Sequence, residues 1–200
     1  MQKTVAKHFF LSVRNGQIVT MKKILIMAAT IFLCVSAAFS QTKKTESVYT
    51  DLASEKCKTI ESFPDEGGSY RGECAGIGGY KLEVLEGDLR QTINVVSPNR
   101  KKYELELWNK VSSGFSAVGD KAEWRVVRSG KTIKPTALIF RFNASDNPEK
   151  PEQNISYLVV VKITKSAVCV TDVVKPSANA NTDARKLADV SANKPCHPGQ

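Results

Sequence analysis

From residue 80 onward, hydrophobic and polar positions alternate with a period of two in one segment after another. That alternation is the mark of half-buried β-strands. In "YKLEVL", Tyr80, Leu82 and Val84 face one way and Lys81 and Glu83 the other. "EGD" (Glu86 to Asp88) signals a turn, and "LRQTINVV" resumes the alternation with Leu89, Ile93 and Val95, which predicts a β-hairpin. "YELELW" sets Tyr103, Leu105 and Leu107 against Glu104, Glu106 and Trp108, and "AEWRVV" repeats the pattern with Ala122, Trp124 and Val126. "TALIFRF" is apolar on both faces apart from Arg141, and "ISYLVVVKI" is apolar on both faces for most of its length, as a central strand is. "AVCVTDVV" is expected to pair with it. Turn chemistry separates these runs at Asp65 to Gly68, Ser97 to Arg100, Arg128 to Lys131 and Asn143 to Asn154. Only the end reads as helix: in "NTDARKLADVSAN", Ala184, Leu187, Ala188 and Ser191 form a small-sided stripe, Thr182 or Asn181 caps the start, and Pro195 follows the end. The fold class is therefore mainly β, an antiparallel sandwich or partly closed barrel with one C-terminal helix.

The first forty residues break this pattern. From Met21, "MKKILIMAATIFLCVSAAFSQ" has a positive start at Lys22 and Lys23, an uncharged run from Ile24 to Phe39, and small residues at Ala38 and Ser40. This is the form of a cleaved secretory signal peptide, with cleavage after Ser40, and the run is short for a membrane span. Residues 1–20 then read as an upstream extension, 21–40 as the signal peptide, and 41–200 as one exported β-rich domain with its core over about 47–196. No stable membrane span is expected after processing.

Export changes the meaning of the cysteines. Cys57, Cys74, Cys169 and Cys196 remain after processing, and an even number in an exported chain points to two disulfides. Three connectivities are open, and proximity favours Cys57–Cys74 with Cys169–Cys196. A zinc site does not fit, because there is no C-x-x-C pair and His197 is the lone histidine beyond residue 40. No metal or cofactor is called for. Charge narrows the partners too. Five of the nine net positive charges fall in residues 1–40, which leaves a mildly basic +4 on the exported part, too little for a nucleic-acid footprint.

Taken in order, "YTDL" (Tyr49 to Leu52), a cysteine, "GGYKLEVLEGDLRQ" (Gly78 to Gln91), "EWR" (Glu123 to Arg125), "PTALIFRF" (Pro135 to Phe142), "LVVVKI" with a cysteine after it, and "NANTDARKLAD" (Asn179 to Asp189) before a last cysteine resemble a family of small exported proteins of Gram-negative bacteria. The stretch that matches least is Ser112 to Gly119. The resemblance implies a periplasmic setting and carries no assigned function with it.

Candidate chemistry is sparse. A Ser-His-Asp or Cys-His device would have to use His197 near the end of the chain. The acidic pairs Glu86 with Asp88 and Glu104 with Glu106 read as solvated edges unless a cleft gathers them. Arg141 interrupts an apolar strand, so its guanidinium needs a carboxylate or a rim position, with Glu123 and Asp88 as candidate partners. The candidate binding residues are Tyr80, Asp88, Arg90, Trp108, Glu123, Trp124, Arg125 and Arg141, an arginine–aromatic–acid set suited to an anionic or sugar-like ligand. The expectation is a non-enzymatic periplasmic binding or inhibitory domain that recognises a protein or envelope component. A carboxylate-based hydrolase of envelope material and a structural accessory protein without a ligand site are the alternatives.

Overall fold

The computed structural model describes residues 44–65, 68–147, 149–150 and 152–199, so the expected signal peptide (21–40) and the expected extension before it (1–20) lie outside the described residues. The described residues belong to one compact unit, Lys43–Gln200. Ten strands form one sheet that does not close: β1 (Thr45–Asp51), β2 (Lys58–Phe63), β3 (Ser69–Ala75), β4 (Lys81–Gly87), β5 (Arg90–Val96), β6 (Lys102–Glu104), β7 (Ser116–Ser129), β8 (Thr132–Ala144), β9 (Ile155–Ile163) and β10 (Val168–Val174). Among the described residues, a short helix, α1 (Leu107–Lys110), lies between β6 and β7, and a longer one, α2 (Ala180–Val190), follows β10.

The sheet has two antiparallel arms. One runs β2-β3-β4-β5 with β6 added on β5, and the other runs β1-β7-β8-β9-β10. A parallel rung, Arg90 with Ser116, joins them. The arms fold face to face. Leu82, Val84, Ile93 and Val95 from one meet Trp124, Val126, Leu138, Phe140, Phe142, Val159 and Val161 from the other in a single apolar cluster. Trp124 is fully buried, its indole N–H donates to Thr50 Oγ1 at 2.8 Å, and Tyr80 packs at 6.2 Å between ring centroids. Gly76 makes room for this contact. A Cβ there would stand 2.5 Å from the Tyr80 carbonyl oxygen and 2.9 Å from the indole ring.

A second, smaller core explains why β8 and β9 are apolar on both faces. Ala137, Ile139, Leu158 and Val160 point away from the main core and are covered by Ala180, Ala184 and Ala188 of α2. Alanine on the helix lets the two backbones come close without a void. Two disulfides staple the body. Cys57–Cys74 ties the segment before β2 to β3, and Cys169–Cys196 ties β10 to the C-terminal tail. The tail lies along the outer edge of β10: the His197 N–H donates to the Val170 carbonyl at 2.7 Å, and the Lys194 ammonium pairs with Asp172 at 2.6 Å. The two disulfides point to an oxidising environment for the folded domain. No helix among the described residues is long and apolar enough to cross a membrane.

Four local expectations are corrected. The hairpin turn is Asp88–Leu89, both with positive φ (50° and 57°), instead of Glu86 to Asp88. Leu89 therefore sits at the tip, 58 % exposed, and does not continue the line of Ile93 and Val95. The "YELELW" strand stops at Glu104, because farther along β5 the start of β7 takes the neighbouring position at Arg90. Glu106 turns the chain with φ 50°, so it does not share a strand face with Glu104, and α1 begins. Leu105 and Leu107 remain buried even so, while Trp108 is 41 % exposed. At α2 the N-cap is Asn179, without a side-chain cap, instead of Thr182 or Asn181. Finally, Arg141 meets neither Glu123 nor Asp88. It donates to Ser156 Oγ at 3.2 Å and to Asn181 Oδ1 at 3.5 Å, at the exposed end of the helix.

Candidate functional site

Antiparallel pairing gathers strand ends. The starts of β5, β7 and β9 and the ends of β8 and β10 all lie at one end of the folded sheet. There, with the chain from Lys110 to Phe115 and the tail at His197, they enclose a cleft of about 860 Å³. Gly114 sets one wall: a Cβ on it would lie 1.9 Å from the Ser145 carbonyl oxygen, so only glycine allows this loop to lie on the end of β8. The Ser145 N–H donates to the Phe115 carbonyl at 2.9 Å and holds the loop in place.

The lining is cationic. Arg90, Lys110 and Lys175 border the cleft with His197, against one acid, Asp146. Arg90 lies over the Phe115 ring, 5.1 Å from its centroid, donates from Nε to the Ser113 carbonyl at 2.9 Å, and pairs with Asp88. Its Nη2 group carries no hydrogen bond to the described residues. The Lys110 side chain is 17 % exposed; its ammonium donates to the His197 carbonyl at 3.1 Å and makes a long ion pair with Glu106 at 3.8 Å. Asp146 is engaged by Tyr157, whose buried hydroxyl donates to it. Burial, with the carboxylate of Asp146 next to it, pushes the Tyr157 hydroxyl up to about 12. A group whose folded pKa is raised stabilises fully below its unfolded value of 10.0 and loses that contribution as pH climbs through about 12. Tyr157→Phe is therefore expected to flatten the decline of stability across that alkaline window, as read by urea unfolding at a series of pH values.

The cleft holds serine, histidine and aspartate, yet they are not wired for nucleophilic attack. Among the described residues no serine hydroxyl is hydrogen-bonded to His197, whose Nδ1 lies 2.6 Å from the Pro198 carbonyl oxygen. Ser112 Oγ accepts from the Gly114 N–H at 3.1 Å. A second cleft, of about 700 Å³, opens near the β3–β4 and β5–β7 region and is lined by Glu55, Glu86 and Asp120. There Gln91 donates to Glu86 at 2.8 Å and accepts from the Val118 N–H at 2.8 Å. Among the described residues no group of three or more His, Cys, Asp or Glu side chains is placed to hold a metal ion.

The residues singled out from the sequence do not converge on one site, although Glu123 and Arg141 both line a smaller hollow of about 320 Å³ beside the start of α2. Asp88 and Arg90 are paired at the hairpin, and Arg90 alone of the set lines the cationic cleft. Tyr80 and Trp124 belong to the core, and burial followed by the nearby Tyr103 raises the Tyr80 hydroxyl. Trp108 is exposed on α1, and Arg141 stands on the outer face near the start of α2. Glu123 and Arg125 form a charge cluster beneath α2. Arg185 grips Glu123 with two bonds at 2.6 and 3.0 Å, and Arg125 grips Asp189 with two at 2.8 and 2.9 Å. Ser47 on β1 bridges them, accepting from Arg125 and donating to Glu123. Burial alone would raise the Glu123 carboxyl, but the bonds from Arg185 and Ser47 outweigh it and hold the group below its ordinary value. The Arg185 guanidinium is correspondingly held charged by Glu123. This cluster clamps α2 onto β7 and β1.

Lys110, Phe115, Tyr157, Lys175 and His197 were not among the expected binding residues. Each is an ordinary surface or strand-end residue when read alone, and no local spacing links them. No protein-family model, curated protein or solved structure matches the chain.

Proposed function

We propose that this chain is a non-enzymatic exported domain, carried to the periplasm by a cleaved leader, that recognises an envelope component through the cleft at the end of its folded sheet. The observation that carries this reading is a preformed concavity bordered by Arg90, Lys110 and Lys175, with one lining acid, Asp146, already engaged by Tyr157, and with Asp88 and Glu106 as the carboxylates paired to Arg90 and Lys110. Ligand sites are typically concave, largely preformed, and built from an apolar lining with a few placed polar groups. The clamped helix, the glycine-shaped loop and the stapled tail provide that rigidity. The absence of a serine–histidine couple favours binding over catalysis among the described residues.

Sedimentation with isolated bacterial envelope fragments tests this. The protein is expected to be retained at physiological ionic strength. Phe115→Ala, in the cleft wall, should cut retention at least about fivefold, a loss on the order of 1 kcal/mol. Ile60→Lys, on the exposed edge strand β2, should leave it unchanged. No retention at low salt, or equal retention for both variants, would remove the proposal.

A further inference from the structure

We infer that the cleft takes an anionic saccharide, with its acidic group held by Lys110 and Lys175 and its ring against the Phe115–Tyr157 side. This rests on the binding reading above and specifies its ligand.

Charge is the first argument. Lys110 is a mostly enclosed ammonium that donates to the His197 carbonyl and makes a long ion pair, at 3.8 Å, with the half-exposed Glu106. A half-desolvated cation whose carboxylate partner is distant and half-exposed gains from a closer incoming anion. Lys175, exposed just after β10, adds a second positive charge to the lining without a carboxylate partner among the described residues. Arg90 is different. Its fork is already held by Ser113 and Asp88, so it contributes field and the Nη2 donors.

Size is the second argument. A cleft of about 860 Å³ far exceeds what one inorganic anion fills, and suits a ligand of one or two sugar rings. The third argument is the mixture of side chains. The exposed Phe115 ring offers an apolar edge beside the serine hydroxyls of Ser113 and Ser145. Sugar rings present just such a pairing of C–H faces and hydroxyls. A bare phosphate would use the cations and leave the rest idle.

Isothermal titration of the purified, oxidised protein at low salt provides the test, with four probes: digalacturonate, glucose 1-phosphate, the neutral disaccharide maltose, and inorganic phosphate. The expected result is that digalacturonate or glucose 1-phosphate binds at least tenfold more tightly than maltose and inorganic phosphate. Whichever of the two is tighter identifies a carboxylate or a phosphate sugar as the source. Lys175→Glu, at an exposed position where folding is unaffected, should weaken that binding at least tenfold, and Lys110→Met should do the same. Equal affinity for maltose or for inorganic phosphate, insensitivity to both lysine changes, or no binding of either acidic sugar would overturn the inference. Envelope retention separates the two claims. If acidic sugars fail while retention still depends on Phe115, the ligand class falls and the binding role stands.

Discussion

Replacing Cys169 and Cys196 together with serine is expected to lower the unfolding free energy by about 3.5 kcal/mol. The bridge spans 27 residues, and closing a loop of that length removes roughly this much chain entropy from the unfolded state. Equilibrium denaturation by urea, under oxidising conditions, measures it. The matching pair of changes at Cys57 and Cys74, across 17 residues, should cost slightly less, about 3 kcal/mol. The two variants differ in a second respect. Only the first frees the tail, whose His197 carbonyl receives Lys110 and whose N–H is bonded to β10. Proton exchange at the His197 amide should therefore rise sharply in the Cys169/Cys196 variant and stay slow in the other. Equal exchange in both would show that the tail is held without its cystine.

Arg185→Ala is expected to cost about 3 kcal/mol, the lower end of what breaking a buried ion pair costs, because Arg185 itself is 39 % exposed. The cost falls on what is left behind. The Glu123 side chain is only 11 % exposed, and without Arg185 it keeps Ser47 and an Arg125 nitrogen at 3.9 Å. The effect has a definite pH dependence. Glu123 titrates below its unfolded value of 4.5 in the folded protein, so its contribution is complete above 4.5 and disappears as pH falls through the lower folded value. The stability gap between the native protein and Arg185→Ala should accordingly shrink as acid is added, and unfolding curves taken on both sides of pH 4.5 would show it. A gap that does not change with pH would mean that Arg185 acts through packing of its stem. Changing Glu123 and Arg185 together to leucine should recover much of the loss, since a buried pair exchanged for apolar neighbours is often neutral.

The strands were legible because one face of each arm is buried and the other is polar, which writes a period of two into the chain. The doubly apolar runs at β8 and β9 were legible as central strands, and the second core shows their reason: α2 covers the face that the other arm does not. The same cover hides the role of Glu123 and Arg125. In sequence they occupy the polar phase of an alternating strand, as solvated residues do, and nothing local tells that Arg185 and Asp189 will descend on them. "YELELW" misleads for a related cause, since Leu105 and Leu107 are buried around a bend and not along a strand. The cleft was the least legible part. It is assembled from strand ends and one loop that antiparallel topology brings together, so Arg90, Lys110, Lys175 and His197 share no motif.

The pairing of β1 has a consequence for the order of events at synthesis. Its partner is β7, and the Ser47–Glu123 bond links residues 76 positions apart. At translation rates of roughly 5–20 residues per second, Thr45–Asp51 must wait about 4–15 s for the strand that completes it. Through that interval the hairpin of β4 and β5 can zip locally, while β1 trails as a tether with both of its edges bare. β1 is thus seated only after β7 has been made, later than the β4–β5 hairpin, and whatever escorts the nascent chain must shield Thr45–Asp51 longer than that hairpin.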